Sequence, residues 1–132
     1  QDPFIVAVRN LEIRDILVCM NAGVLGVESD PYYGAPVIVL VFVPLPELNG
    51  NSVQDGSLVL GNMMLAAHSV GLASCWINRE REMFSTTQGQ KLMERLGVPE
   101  GYMGIGALAL GHPAIPNPEA LPRKEDYFKI ID

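Results

Sequence analysis

Apolar positions follow two rhythms along this chain: short unbroken runs, and sets spaced three or four apart. Phe4-Ile5-Val6-Ala7-Val8 is a run and predicts a buried strand. After Arg9-Asn10, the residues Leu11, Ile13, Ile16, Leu17 and Met20 recur at helical spacing among Glu12, Arg14 and Asp15. They predict a helix over 11–25 that Gly23 and Gly26 end, with a turn at Ser29-Asp30-Pro31. Val37 to Val43 is the clearest strand. Its seven consecutive apolar residues, five of them β-branched, imply cover on both faces. Pro44 and Pro46 stop it, and a polar loop runs to Asn51.

The next element departs from ordinary amphipathic patterning. Asp55 is a candidate N-cap and Gly71 a candidate C-cap. Between them, Leu58 to Val70 is apolar almost all round, apart from Asn62, His68 and Ser69. A helix without a polar face has to be buried on more than one side. A domain of this size has little interior for that, so a subunit interface is expected to complete the burial. Gly61, Ala66 and Ala67 would let another helix come close, which predicts a homodimer centred on this helix.

Leu72 to Ile77 reads as a short strand and Asn78-Arg79-Glu80-Arg81 as its polar exit. Ser85 or Thr86 caps a helix carrying Leu92, Met93 and Leu96, ended by Gly97 before Pro99. Tyr102 to Leu110 is a further strand, where Gly104 and Gly106 mark close backbone approach. Four prolines between His112 and Pro122 make that stretch an extended loop, and Tyr127 to Ile131 looks like a final strand. Strands and helices mixed in this order give one α+β or α/β domain.

Composition narrows the function. At 132 residues a single domain is expected, and 48% hydrophobic with only 18% charged residues argues against a disordered tail or a charged coiled coil. Fifteen acidic residues against nine basic ones give a net charge of -6, which disfavours nucleic acid as a partner. No run is long enough to span a bilayer, and no signal peptide is visible. Cys19 and Cys75 lack metal or disulfide spacing, so reduced thiols in the cytoplasm are the plain reading. The chain opens Gln1-Asp2-Pro3 without an initiator methionine, as expected of an incomplete translation product.

Side-chain chemistry is sparse. Gly104 to Ala109 fits GxGxxG/A, but the glycines lie inside a strand-like run and Pro113 follows where a helix should proceed. His68 reads as a buried or interface histidine, and His112 has no visible carboxylate partner. Cys75 reads as a small buried hydrophobe. Arg123-Lys124 reads as a solvated run, with phosphate binding the minority alternative. Neither a metal site nor a catalytic constellation emerges, and an enzyme without acid–base machinery borrows its chemistry from a cofactor.

Four segments carry a resemblance. DGSLVLGNMMLAAHSVGLASCWINR (55–79) strongly resembles the nitroreductase family of FMN-dependent NAD(P)H oxidoreductases. Asp30 to Val39, GALALGHP (106–113) and Pro122 to Tyr127 are similar to its strand before that helix, its late strand and its C-terminal basic motif. The resemblance implies a mixed central β-sheet flanked by helices in an intertwined homodimer, with FMN at the interface and the terminal strand extending the partner's sheet. By the same resemblance, Trp76, Ile77, Asn78 and Arg79 run along the flavin ring, and Arg123, with Lys124, reaches its phosphate. Gln1 and Pro3 lie near its pyrimidine edge. The catalytic residues are then none, because FMN carries the chemistry.

The family's N-terminal helix, with its arginine/serine-rich FMN contacts, has no counterpart in these residues. A single nitroreductase-like domain over 1–132 lacking that helix is therefore expected. The activity implied is ping-pong hydride transfer from NAD(P)H, through FMN, to an electron-poor acceptor such as a nitroaromatic or quinone. The alternatives are a non-catalytic dimeric ligand-binding or regulatory module on the same scaffold, and a flavin-consuming relative.

Overall fold

The computed structural model describes residues 2–115 and 119–131. Eight elements follow one another: β1 (Phe4–Val8), α1 (Leu11–Leu25), β2 (Val37–Pro44), α2 (Ser52–Ser69), β3 (Ala73–Ile77), α3 (Glu80–Ser85), α4 (Thr87–Arg95) and β4 (Tyr102–Gly111). The strands form one sheet in the order β1-β2-β4-β3. Every pairing is antiparallel, so the sheet expected to be mixed is purely antiparallel among the described residues.

β2 runs unbrokenly apolar because helices cover both sides of it. Ile38, Leu40 and Phe42 face a core shared with Leu17 and Met20 of α1, Met83 and Phe84 of α3, and Leu92 and Met93 of α4. Phe42 and Phe84 meet edge to face with centroids 4.9 Å apart, a favoured aromatic geometry. Val39 and Val41 point the other way, to Leu60, Met63 and Met64 of α2. Continuous apolar patterning thus reports two-sided burial even in an antiparallel sheet.

β4 explains its glycines through close approach. Val41 pairs with Gly106 and Phe42 with Gly104, which leaves Ile105 as the extra residue of a bulge. A Cβ on Gly104 would lie 2.7 Å from the Glu80 carbonyl oxygen. One on Gly106 would lie 2.9 Å from the Ile77 carbonyl, from Leu60 and from the Trp76 indole nitrogen. These glycines let β3 and the start of α3 sit directly on β4.

Helix ends follow local chemistry, with two corrections. The Asn10 side chain accepts from the Ile13 N–H at 3.0 Å to open α1, and the Thr86 hydroxyl accepts from Gly89 to open α4. α2 begins at Ser52 rather than after Asp55, and Asn51 before it makes no side-chain capping hydrogen bond. Its end is as expected: Gly71 is left-handed at φ 79°, with Leu72 N–H bonded to Ala67 and Gly71 N–H to His68. The polar exit after β3 is in fact α3. Its Glu80, Met83 and Phe84 turn inward, which a six-residue polar segment does not announce.

Two burial expectations change, those for Ala67 and Cys75. α2 buries Gly56, Leu60 and Ala67 against the sheet, so Ala67 is not on the outer face with Gly61 and Ala66. Leu58 and Leu65 remain 66% and 72% exposed within one chain. Cys75 is exposed, not buried, because β3 is an edge strand of which only Ile77 is buried. His68, expected to be buried or at an interface, is exposed within the single chain. Tyr127 to Ile131, expected as a final strand, forms no strand and is exposed. Among the described residues no helix is long and apolar enough to cross a membrane.

Candidate functional site

A cleft of about 440 Å³ opens between α2 and the end of β3, within the size range of small-molecule sites. α2 supplies Val53, Ser57, Leu60, Gly61 and Met64 as one wall. Trp76 and the bulged Ile105 form the other, and Asn78, Arg81 and Glu82 form a polar rim. The bulge aims Ile105 here, and Gly61 keeps the helix wall open, since a Cβ on it would meet nothing within 4 Å. Trp76 is 53% exposed, an unusually open position for an indole. An apolar slot with a few polar groups at one end suits a planar, partly polar ring. The rim carries one basic and one acidic side chain, Arg81 and Glu82, so it does not concentrate positive charge for a phosphate.

The site residues expected from sequence divide among several places. Trp76 and Asn78 line this cleft. Ile77 alternates to the opposite face, where it is buried, and the half-buried Arg79 holds the position before α3. Pro3 lines a separate cleft of about 400 Å³ with Asp2, Ile5, Asp55, Leu58 and Val59. β1 and β3 are the two edges of the sheet, so Pro3 and Trp76 cannot meet within one chain. Gln1 lies outside the described residues. Arg123 and Lys124 are exposed in the C-terminal segment, and the Arg123 guanidinium lies 5.8 Å from the Tyr127 ring centroid, not at the cleft.

Behind the rim lies a polar cluster that sequence reading missed. Glu80 and Tyr32 are both fully buried, and the Tyr32 hydroxyl donates to Glu80 Oε1 at 2.9 Å. Asp30 holds the Tyr32 turn by accepting from the N–H groups of Tyr32 and Gly34. Burial pushes the Glu80 carboxyl up from 4.5 to about 7, against the Tyr32 hydrogen bond, which favours its charged form. Burial, then the Glu80 charge, holds the Tyr32 phenol far above its usual range. Asn21 is near enough to ease that shift, yet neither of its amide atoms completes a hydrogen bond. A glutamate within Asn-Arg-Glu-Arg gives no sequence signal of burial, because its partner is 48 residues away.

The sequence model described as the Nitroreductase family matches residues 23–112, well over half of the chain. The chain belongs to the nitroreductase family. Among solved structures, it is similar to a nitroreductase with bound FMN from Bacteroides fragilis. That likeness has 27% identity and a TM-score of 0.84, over 99% of this chain and 76% of the other. A nitroreductase with bound FMN from Desulfitobacterium hafniense aligns at 25% identity and TM-score 0.83, over 100% and 77%. The NADPH:FMN oxidoreductase from Vibrio harveyi, complexed with NAD+, shares the fold at 23% identity and TM-score 0.66, over 100% and 62%. No curated protein matches the chain. Its α+β architecture, an antiparallel sheet flanked by helices, is that of these nitroreductases.

Proposed function

We propose that this nitroreductase chain is one half of a cytoplasmic homodimeric FMN enzyme that takes hydride from NAD(P)H and passes it to an electron-poor acceptor. The observation that carries the reading is the α2–β3 cleft, in a chain that superposes over 99% of its length on a nitroreductase holding FMN. Bound FMN would supply the redox chemistry, taking a hydride equivalent from a nicotinamide and delivering it to a nitroaromatic or quinone.

The chain's own residues position and shield. Leu60, Met64, Trp76 and Ile105 offer the ring apolar contact and exclude water. Backbone N–H groups around Asn78 and Arg79 offer donors at its edge, and Ile77 anchors that backbone in the core. Arg123, with Lys124 beside it, is the phosphate ligand, since arginine's fork suits phosphate oxygens. Pro3, with Gln1, approaches the pyrimidine edge. Because the two sheet edges carry Pro3 and Trp76, the complete site takes the first edge from one copy and the second from another.

Exposed apolar residues support the pairing of copies. Leu58 and Leu65 on α2, and Leu121, Phe128, Ile130 and Ile131 near the C-terminus, are all more than 60% exposed in one chain. Apolar surface on that scale marks an interaction site. A C-terminal segment from a second copy, pairing with an edge of this sheet, would bury both.

Steady-state oxidation of NADH or NADPH by the FMN-loaded protein, with a nitroarene or quinone varied, tests the activity. Parallel double-reciprocal lines are expected of two half-reactions sharing one cleft. Converging lines would exclude the ping-pong order. FMN bound without turnover would instead identify a ligand-binding module, and loss of FMN itself with oxygen a flavin-consuming relative.

A further inference from the structure

The rim of the cleft is one short stretch of backbone whose residues face two ways. Asn78, Arg81 and Glu82 line the cleft, while Glu80 between them points into the core and is fully buried. Glu80 is held there at two points. Its carboxylate takes the Tyr32 hydroxyl hydrogen bond, and its carbonyl rests on Gly104, where no Cβ could fit. Tyr32 is itself fixed by the Asp30 turn between α1 and β2, so a loop distant in sequence clamps the rim from behind. A packing residue at this position would not need a carboxyl. Burying one is costly unless it is fully partnered, and Glu80 Oε2 has no partner among the described residues.

We propose that Glu80 is a positioning residue for the cleft. Its buried carboxyl, tied to the Tyr32 hydroxyl, fixes the backbone from Asn78 to Glu82 that meets the bound ring. The cleft's ligand rests on the FMN reading above, whereas the clamp itself does not. Burial brings Glu80 to about 7, so its charge changes near neutrality, directly behind the rim. The charged and titratable groups acting on it are Arg79 on its own element and, across the packing, Tyr32 with Asp30 behind it. None of these residue types ordinarily titrates near neutrality, so a rim response there belongs to Glu80.

Amide exchange and a pH titration by NMR test the clamp without any ligand. Tyr32→Phe deletes the hydrogen bond, and exchange at residues 78–82 should quicken about tenfold relative to amides of β2. Unchanged relative exchange would overturn the clamp. In the wild type, amide shifts of Asn78 and Arg79 should follow a single titration near neutrality that Glu80→Gln abolishes. This arm stands even if Tyr32→Phe does not fold, and persistence of the titration in Glu80→Gln would equally overturn the proposal. FMN added to each protein gives the link to binding. Tyr32→Phe should bind about tenfold more weakly, and Glu80→Gln should match the wild type at about pH 6 while losing its pH dependence. Equal FMN affinity in Tyr32→Phe and the wild type would overturn the positioning role. A wild type that binds no FMN would refute the cofactor reading and leave the exchange and titration arms to decide the clamp.

Discussion

Glu80→Gln should make this protein more stable at alkaline pH. The carboxyl titrates at about 7 when buried, against an ordinary value of 4.5. At about 1.4 kcal/mol per pH unit, that difference amounts to roughly 3 kcal/mol. The sign follows from proton counting. Between these two pH values the folded chain keeps a proton on Glu80 that the unfolded chain has released, so stability falls as pH rises. Below the lower value the stabilising proton is bound in both states and the contribution is complete. Above the upper one the buried charge is present and the contribution is gone. Glutamine keeps an oxygen to accept from Tyr32 and carries no charge. Urea unfolding of both proteins, from about pH 5 to about pH 8.5, isolates the effect because all other titrations cancel. The variant should gain progressively, reaching about 3 kcal/mol by the alkaline end. Parallel curves, or a wild type that gains on the variant as pH rises, would refute a carboxyl strained by burial.

Four further substitutions probe the packing, the interface and the phosphate contact. Gly104→Ala should cost about 1–3 kcal/mol in urea unfolding, since its Cβ would press on the Glu80 carbonyl, whereas Gly23→Ala in α1, with nothing within 4 Å, should gain about 0.5–1 kcal/mol. Leu65→Glu should leave the monomer folded, because the site is 72% exposed, and sedimentation should show dimer dissociation raised at least about a hundredfold. A stable dimer would remove the outer face of α2 from the interface. Arg123→Ala should weaken FMN binding roughly ten- to hundredfold by equilibrium titration, while unchanged affinity would return the pair to a solvated surface run.

Much of the scaffold was legible in the chain because it rests on local chemistry. The unbroken run of β2, the Asn10-preceded periodicity of α1, the stop at Gly71 and the Thr86 cap each carry their cause within a few residues. Gly104 and Gly106 likewise announced close approach, though not what approaches. Long-range pairings were not legible. α3 turns inward because Tyr32, far upstream, supplies a hydrogen bond for Glu80, and no local pattern encodes that. Cys75 was misread because edge position in a sheet depends on strand order, not on the residues beside it. The division of Pro3 and Trp76 between opposite edges is invisible for the same reason. The strand expected at Tyr127 to Ile131 does not form, because an apolar run predicts a strand only where a neighbouring strand is there to pair with it.

If a second copy completes the cleft, FMN binding and dimerisation are one event. Sedimentation velocity of the purified chain with FMN, followed at the flavin absorption band, measures both together. FMN should travel at the rate of a dimer with one flavin per chain. FMN left behind in the solvent, or carried by a monomer, would contradict it.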